Sequence, residues 1–465
     1  MMKFLNSVFF LLSVLFVSAQ EKKPNIIWLV CEDQSAQFFS MYGDKTVSLP
    51  HLEKLAEDSV LFENMHSTTP VCAPARSAII TGMYPTSLGT HNMRTYNEGR
   101  KTNQPQLGIP SYSPKFPGYI KPFTVYLREE GYYCTNSNKQ DYNFEIASDA
   151  WDQSCRYCQG EEKENIHWRK RDGDQPFFAV FNFQITHESQ IWKQQQVLLD
   201  PNDIEFIPPY FPDDPVIRQD MATNYSNLVR MDKEVGEIIS ELKEQGLYDD
   251  AYIFFYSDHG GPFPRHKRAI YQTGTKVPFL IKFPKSIQAG EKDDRLLSFV
   301  DLAPSVLQMA GIEIPKYMQG KPVNEFLHKS LRNYLITASD RFDGQYDRIR
   351  AIQDKRFKLI RSFYPDMSHH LDVQYRKNMP MMQKLLSLHL DGQLNQDQQK
   401  WFGLKEEYEF YDLQTDPYEM KNQIQNPAYQ DHIQLLKVEL EKWMLNTNDL
   451  GAVPEQVLIK QATSH

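Results

Sequence analysis

The chain is predicted to be an α/β protein: a large mixed, mostly parallel sheet sandwiched by helices, with a smaller C-terminal α+β subdomain. Three observations predict it. Short apolar runs of strand length recur along the N-terminal part and end in polar residues. Helical patterns stand between them, as expected when both faces of a parallel sheet are covered. From about Arg332 the pattern changes to several short strands and one long helix.

In chain order, Asn25–Cys31 reads as a buried central strand that ends in Glu32-Asp33. Leu52, Leu55, Ala56 and Val60 follow at helical spacing. Val71–Gly82 holds a short apolar helix with Pro74 in its first turn, where a missing N–H costs nothing. Phe177–Phe183 is a second strand, ending near His187. Leu228, Met231, Val235, Ile238, Ile239 and Leu242 form a helix that Gly246 can stop. Tyr252–Tyr256 is a third strand, ending in Ser257-Asp258-His259-Gly260, and Val277–Phe283 a fourth. Open α/β sheets build their sites at the carboxyl ends of strands, and three of these strands end in ligand-type residues. Pro105–Tyr119 and Pro201–Pro215 read as loops able to shape a substrate site. Tyr334–Ser339, Arg348–Gln353, Phe357–Arg361 and Tyr408–Leu413 are expected strands, with a helix over Tyr429–Leu445 to pack on them. The expected division is 1–19, a signal peptide; 20–331, the catalytic α/β domain; and 332–465, the C-terminal subdomain.

Met1–Ala19 carries Lys3, an apolar run from Phe4 to Val17 and the small-residue site Val17-Ser18-Ala19, so an exported, periplasmic or secreted protein with no stable membrane insertion is expected. At 465 residues the chain can bury a large core. Its net charge of −9 is spread along the chain with no dominant basic stretch, which argues against nucleic-acid binding. Five cysteines are too few for a disulfide scaffold. Cys155 and Cys158 suit a local disulfide; Cys31 and Cys134 end apolar runs and suit buried thiols.

Cys72-Ala73-Pro74-Ala75-Arg76 is the most informative segment. A helix starting here places Cys72 beside free backbone N–H groups, an arrangement that favours anions. Arg76 lies one helical turn on and can reach the same pocket. Glu32, Asp33, Asp258 and His259 offer a mainly oxygen-lined site for one hard divalent cation, calcium rather than zinc. Taken singly, an Asp-His pair is loop decoration, and Arg76, Lys139 and Lys267 are solvated charges. His187 alone is a satisfied strand-end histidine.

Cys-x-Pro-x-Arg followed by an apolar helix and Thr81-Gly82 resembles the signature of the type I, formylglycine-dependent sulfatases of the alkaline phosphatase superfamily. The resemblance extends to Asn25-Ile26 before Glu32-Asp33, where glutamate replaces the family's first aspartate. It includes Asp258-His259, Lys267 four residues before Tyr271, Lys139, and the C-terminal Tyr411-Asp412-Leu413, Asp416-Pro417 and Asn422. Asp141 stands where the family has a histidine, and Thr186-His187 replaces Pro-His.

The resemblance implies that a maturing enzyme oxidises Cys72 to formylglycine (3-oxoalanine). It implies a sulfuric ester hydrolase in which Cys72, Arg76, Lys139, His187 and Lys267 are catalytic. Glu32, Asp33, Asp258, His259 and the modified Cys72 would hold one Ca2+. One hydroxyl of the hydrated aldehyde attacks sulfur, cations spread the charge, the alcohol leaves with a proton from His187 or Lys267, and the second hydroxyl expels sulfate. His91, Arg94, Asp141 and His266 are further substrate-binding candidates; Asn92, Arg341 and His369-His370 are weaker ones. The expected substrate is a sulfated carbohydrate, either an algal polysaccharide such as ulvan or a glycosaminoglycan. The alternatives are a phosphonate monoester hydrolase or phosphodiesterase of the same superfamily, an N-sulfoglucosamine sulfohydrolase, and a non-enzymatic sugar-binding relative.

Overall fold

The computed structural model describes residues 22–96, 102–104, 107–155, 158, 160–161, 165–194, 196–323 and 332–464. The expected signal peptide, and the boundary expected at 331, lie outside these residues. Among the described residues no helix is long and apolar enough to cross a membrane.

The main sheet contains β1 (Ile26–Cys31), β2 (Val60–His66), β5 (Tyr133–Ser137), β6 (Gln153–Ser154), β7 (Phe177–Phe183), β8 (Tyr252–Ser257), β9 (Lys276–Val277), β10 (Phe279–Lys282) and β11 (Lys292–Ser298). Its order is β11-β2-β10-β8-β1-β7-β5-β6, with β9 on β2. A separate hairpin pairs β3 (Thr102–Gln104) with β4 (Ile109–Pro110). The sheet is mixed and mostly parallel, with β10 antiparallel to both β2 and β8. β1 and β7 are buried along their whole length, which is why they read as unbroken apolar runs.

One layer of core joins Trp28, Phe178, Phe254 and Tyr256 to the helices Cys72–Thr81, Phe123–Glu129 and Leu302–Met309. On the opposite face Leu29, Phe181 and Phe255 meet Leu228, Met231 and Val235 of the 30-residue helix Pro215–Glu244. That helix starts at the Asp214 N-cap, whose carboxylate accepts the Val216 N–H.

The C-terminal sheet is an antiparallel meander of β12 (Leu335–Ser339), β13 (Ile349–Gln353), β14 (Phe357–Ser362) and β15 (Tyr408–Asp412). The helix Gln430–Asn446 packs on it through Ile433, Leu436 and Leu440. Three local expectations change. Val60 does not extend the first helix, which ends at Glu57; it opens β2. Pro278 splits the expected fourth strand into β9 and β10, because proline cannot donate to a ladder. The expected loop Pro105–Tyr119 contains β4. Cys155 and Cys158 are disulfide-bonded, and Cys31 and Cys134 are buried free thiols.

Candidate active site

The sheet order brings the candidate residues together. β1 lies between β7 and β8, with Cys31 opposite both Phe183 and Ser257. Glu32-Asp33, Asp258-His259 and His187 therefore leave neighbouring strands at the same edge. The helix Cys72–Thr81 points its N-terminus there, and all ten of its residues are buried. Asp33 holds a left-handed backbone (φ 55°), as do Arg265 and Arg268 in the loop that carries Lys267. Such conformations persist where surrounding contacts over-determine them. Gly274 closes that loop, and a Cβ there would collide with the carbonyl oxygens of Ala269 and His266.

Asp33, Cys72, Asp258 and His259 each present a ligand atom within 4.8 Å of the others. His259 Nε2 is 3.0 Å from Asp33 Oδ1 and 3.2 Å from Cys72 Sγ. Burial opposes a charge on His259, but Asp258, Cys72 and Asp33 together push the imidazole up to about 10. Two buried carboxylates and one imidazole that draws in positive charge fit a divalent cation, which would take the place of that proton. Glu32 joins a second grouping with Asp33 and His187. Its Oε2 accepts from Lys139 Nζ at 2.7 Å, while its buried Oε1 accepts no hydrogen bond and lies 3.7 Å from Arg76. Burial raises the Glu32 carboxyl in spite of Lys139 and Arg76. That spare oxygen is what Glu32 has left to offer a cation.

The cations are equally well anchored. Arg76 donates to Asp258 Oδ2 at 3.0 Å and to Asn182 Oδ1 at 2.8 Å. Lys267 donates to Asp33 Oδ2 at 2.6 Å and lies 3.1 Å from Glu188 Oε1 and 3.4 Å from His187 Nε2. Burial would raise Asp33, but Lys267, His187 and His259 hold it well below the usual carboxylate range. His187 is pushed down to about 3 by burial and by Lys267, which makes it a neutral hydrogen-bonding group at neutral pH. At 15% side-chain exposure it marks the entrance, since the Cys72 side of the site is covered by Met93, Phe342, Leu371 and Val373.

Two residues absent from the sequence reading are part of this arrangement. Glu188 accepts two bonds of 2.9 Å from Arg268, and its N–H donates to Asp33 Oδ2 at 2.6 Å. Asn182 clamps Arg76; its signal was a polar residue inside an otherwise apolar strand. Tyr375, 42% exposed, feels Glu188 and Lys267 and meets Trp192 edge-on with ring centres 5.2 Å apart.

The other candidates have the following surroundings. His266 stacks between Phe38 and Phe211, with Nε2 2.9 Å from the Tyr210 hydroxyl. His91 is buried beside Asp340 and Arg350 of the C-terminal part. Arg341 forms a bidentate pair with Glu455, and Asn92 Oδ1 accepts the Arg341 N–H. His369 contacts the Tyr271 hydroxyl and His370 packs on Trp401. Asp141 lines a separate cavity of about 130 Å³ with Tyr96 and Phe144. Arg94 lies near enough to Asp343 to stabilise its charge.

Comparison with known proteins agrees with this arrangement. The Sulfatase family model matches residues 24–312, and the model for the C-terminal part of N-sulphoglucosamine sulphohydrolase matches residues 261–388. The chain is 41% identical to an ulvan-active sulfatase of Formosa agariphila, over 95% of this chain and 78% of that protein. It is 24% identical to human N-sulphoglucosamine sulphohydrolase, over 92% and 91%. A protein solved in complex with its substrate D-glucosamine-2-N,6-O-disulfate superposes with a TM-score of 0.64 at 17% identity, covering 93% of this chain and 100% of that one.

Proposed function

Because this chain belongs to the sulfatase family and is a sulfate ester hydrolase, we propose that it is an exported enzyme that removes sulfate from an algal polysaccharide of the ulvan type or its oligosaccharides. The convergence of Asp33, Cys72, Asp258 and His259 at a buried helix N-terminus carries this reading. The 41% identical ulvan-active relative supports the substrate class. An exposed aromatic ring at the entrance, that of Tyr375, suits a sugar face. The disulfide between Cys155 and Cys158 suits an oxidising compartment, in keeping with the leader read in Met1–Ala19.

Cys72, converted by a maturing enzyme to formylglycine, would supply a hydrated-aldehyde nucleophile, and one Ca2+ held by Asp33, Asp258, His259 and Glu32 would polarise the sulfate. Arg76, Lys139 and Lys267 neutralise the sulfate oxygens and spread the charge that develops at sulfur. Asn182 and Asp258 hold Arg76 in place, while Glu32 and Asp33 hold the two lysines. His187 stands at the entrance to hydrogen-bond the ester oxygen.

The test is sulfate release, followed by ion chromatography, from ulvan oligosaccharides, 6-O-sulfated glucosamine and N-sulfoglucosamine, alongside mass spectrometry of the Cys72 peptide. Release from the ulvan fragments is expected. Exclusive release from N-sulfoglucosamine would replace this reading with the second one, N–S cleavage, which the match over residues 261–388 favours. An unmodified Cys72 in active enzyme would remove the formylglycine mechanism.

A further inference from the structure

A cavity of about 550 Å³ lies between the catalytic loops and the C-terminal sheet. Ser35 and Ala36, just past Asp33, form one wall; Gln272 and Thr273, past Lys267, form another; Gln353 and Leu413 close it from the C-terminal sheet. None of the catalytic candidates lines it.

Lys276 is the unusual member. It is half-buried, and burial holds its ammonium below the ordinary lysine range in spite of the charge of Glu63. Among the described residues its one polar contact is Asn64 Oδ1, at a long 3.5 Å, with no carboxylate in ion-pair range. The neighbouring cations at the rim are paired, Lys355 with Asp294 and Arg356 with Asp412. Glu63 acts on Lys276 from beyond ion-pair distance, so the ammonium has room for a closer anion. Here the ammonium faces a cavity walled by the amides of Asn64, Gln272 and Gln353. On the rim Tyr418 stacks on Phe206, with ring centres 5.9 Å apart and planes 27° from parallel, and Phe206 is 56% exposed.

We propose that this cavity is a second glycan subsite, taking an anionic sugar residue of the polymer whose sulfate ester is cleaved at Cys72. The sulfate or carboxylate of that sugar pairs with Lys276, the amides bond its hydroxyls, and the Phe206–Tyr418 pair offers a ring face for stacking. The cavity shares its walls with the loops after Asp33 and Lys267, the same loops that carry two of the candidate site residues. The inference rests on the glycan sulfatase reading above.

The experiment is calorimetric titration of full-length Cys72→Ala protein, which cannot turn over, with size-fractionated ulvan oligosaccharides and, separately, inorganic sulfate. Two sites per chain are expected for oligosaccharides too short to span the cavity and Cys72, and one tighter site for longer ones. Lys276→Met should weaken the second of the short-oligosaccharide sites by about ten- to a hundredfold, the loss of one charge-assisted bond. Lys276→Arg should restore it. Phe206→Ala, at an exposed ring where folding is not at risk, should weaken the same site by roughly three- to tenfold. A single site for the short oligosaccharides, or binding indifferent to both Lys276→Met and Phe206→Ala at every length, would overturn the proposal. Lys276-dependent binding of inorganic sulfate with no added affinity for oligosaccharides would make this a free-anion site and overturn the sugar assignment. Sulfate release by wild-type enzyme separates the two levels. Release with an insensitive second site sinks only this inference, whereas no release from any sulfated glycan sinks the proposed function and this inference with it.

Discussion

Glu188→Gln tests how Lys267 is held. The carboxylate is buried and takes three charged contacts: two bonds of 2.9 Å from Arg268 and an approach of 3.1 Å from Lys267. Burial would raise this carboxyl, but Arg268 and Lys267 keep it ionised, well below the usual range. The glutamine is isosteric, so packing survives while one charge disappears. Among carboxylates Arg268 then keeps only Asp343, at 2.7 Å, and Lys267 only Asp33, at 2.6 Å. Removing one partner of a buried pair costs about 3–5 kcal/mol. We therefore expect urea denaturation to show Glu188→Gln destabilised by about 3 kcal/mol, with kcat on a sulfated substrate reduced as Lys267 shifts. Adding Arg268→Met should recover part of the loss, because the stranded charge goes too. A single variant within about 1 kcal/mol of wild type with unchanged kcat would refute the network, and a double variant worse than the sum of the singles would refute its electrostatic origin.

Asn182→Ala should leave Arg76 held by Asp258 and by the 3.7 Å approach of Glu32, and lower kcat/KM by about tenfold or more, about the loss of one charged hydrogen bond; an unaltered kcat/KM in steady-state assays would show that the clamp is idle. Asp220 is raised to about 7 by burial, offset in part by the N–H of Met381 that it accepts. Its folded-state affinity for a proton exceeds that of the unfolded chain, so its contribution is complete below about pH 4 and fades as pH rises through 7. Asp220→Asn should match wild type near pH 4 and be up to about 4 kcal/mol more stable at pH 8.5; a constant difference across pH would contradict the assignment. Calcium added to chelator-treated protein at about 100 times its Kd should raise unfolding free energy by about 2.7 kcal/mol, and Asp33→Asn should abolish that gain in denaturation curves.

The legible parts of the fold were those where one physical demand dominated. β1, β7 and β8 lie in the middle of the sheet with both faces covered, so their apolar runs stood out. β11, Lys-Asp-Asp-Arg-Leu-Leu-Ser, is the sheet's edge, and its exposed charged half hides the pattern. β2 was obscured because Glu63 and Asn64 interrupt its apolar run beside a helix. In the candidate site, short motifs singled out Cys72, Arg76 and the carboxylate pairs, which the fold brings together at neighbouring strand ends. Glu188 escaped because its meaning lies in Lys267 and Arg268, far along the chain. His266 and His91 could not be placed from sequence, because a histidine near a motif looks the same there whether it faces a cavity or packs in the scaffold.

The cover over the nucleophile also sets a timetable. Cys72 is fully buried, and Phe342, Leu371 and Val373, which close over it, are synthesised some 270 residues or more after it. If Cys72 is modified as proposed, the modifying enzyme would have to meet the chain before those residues fold down. On that proposal, maturation and folding would compete for the same interval after Cys72 emerges, and a slow modifier or a fast-closing chain would yield unconverted protein. Truncating the chain before Phe342 should keep Cys72 convertible, while folded, unmodified full-length protein should resist conversion; equal conversion of both would show that the cover opens.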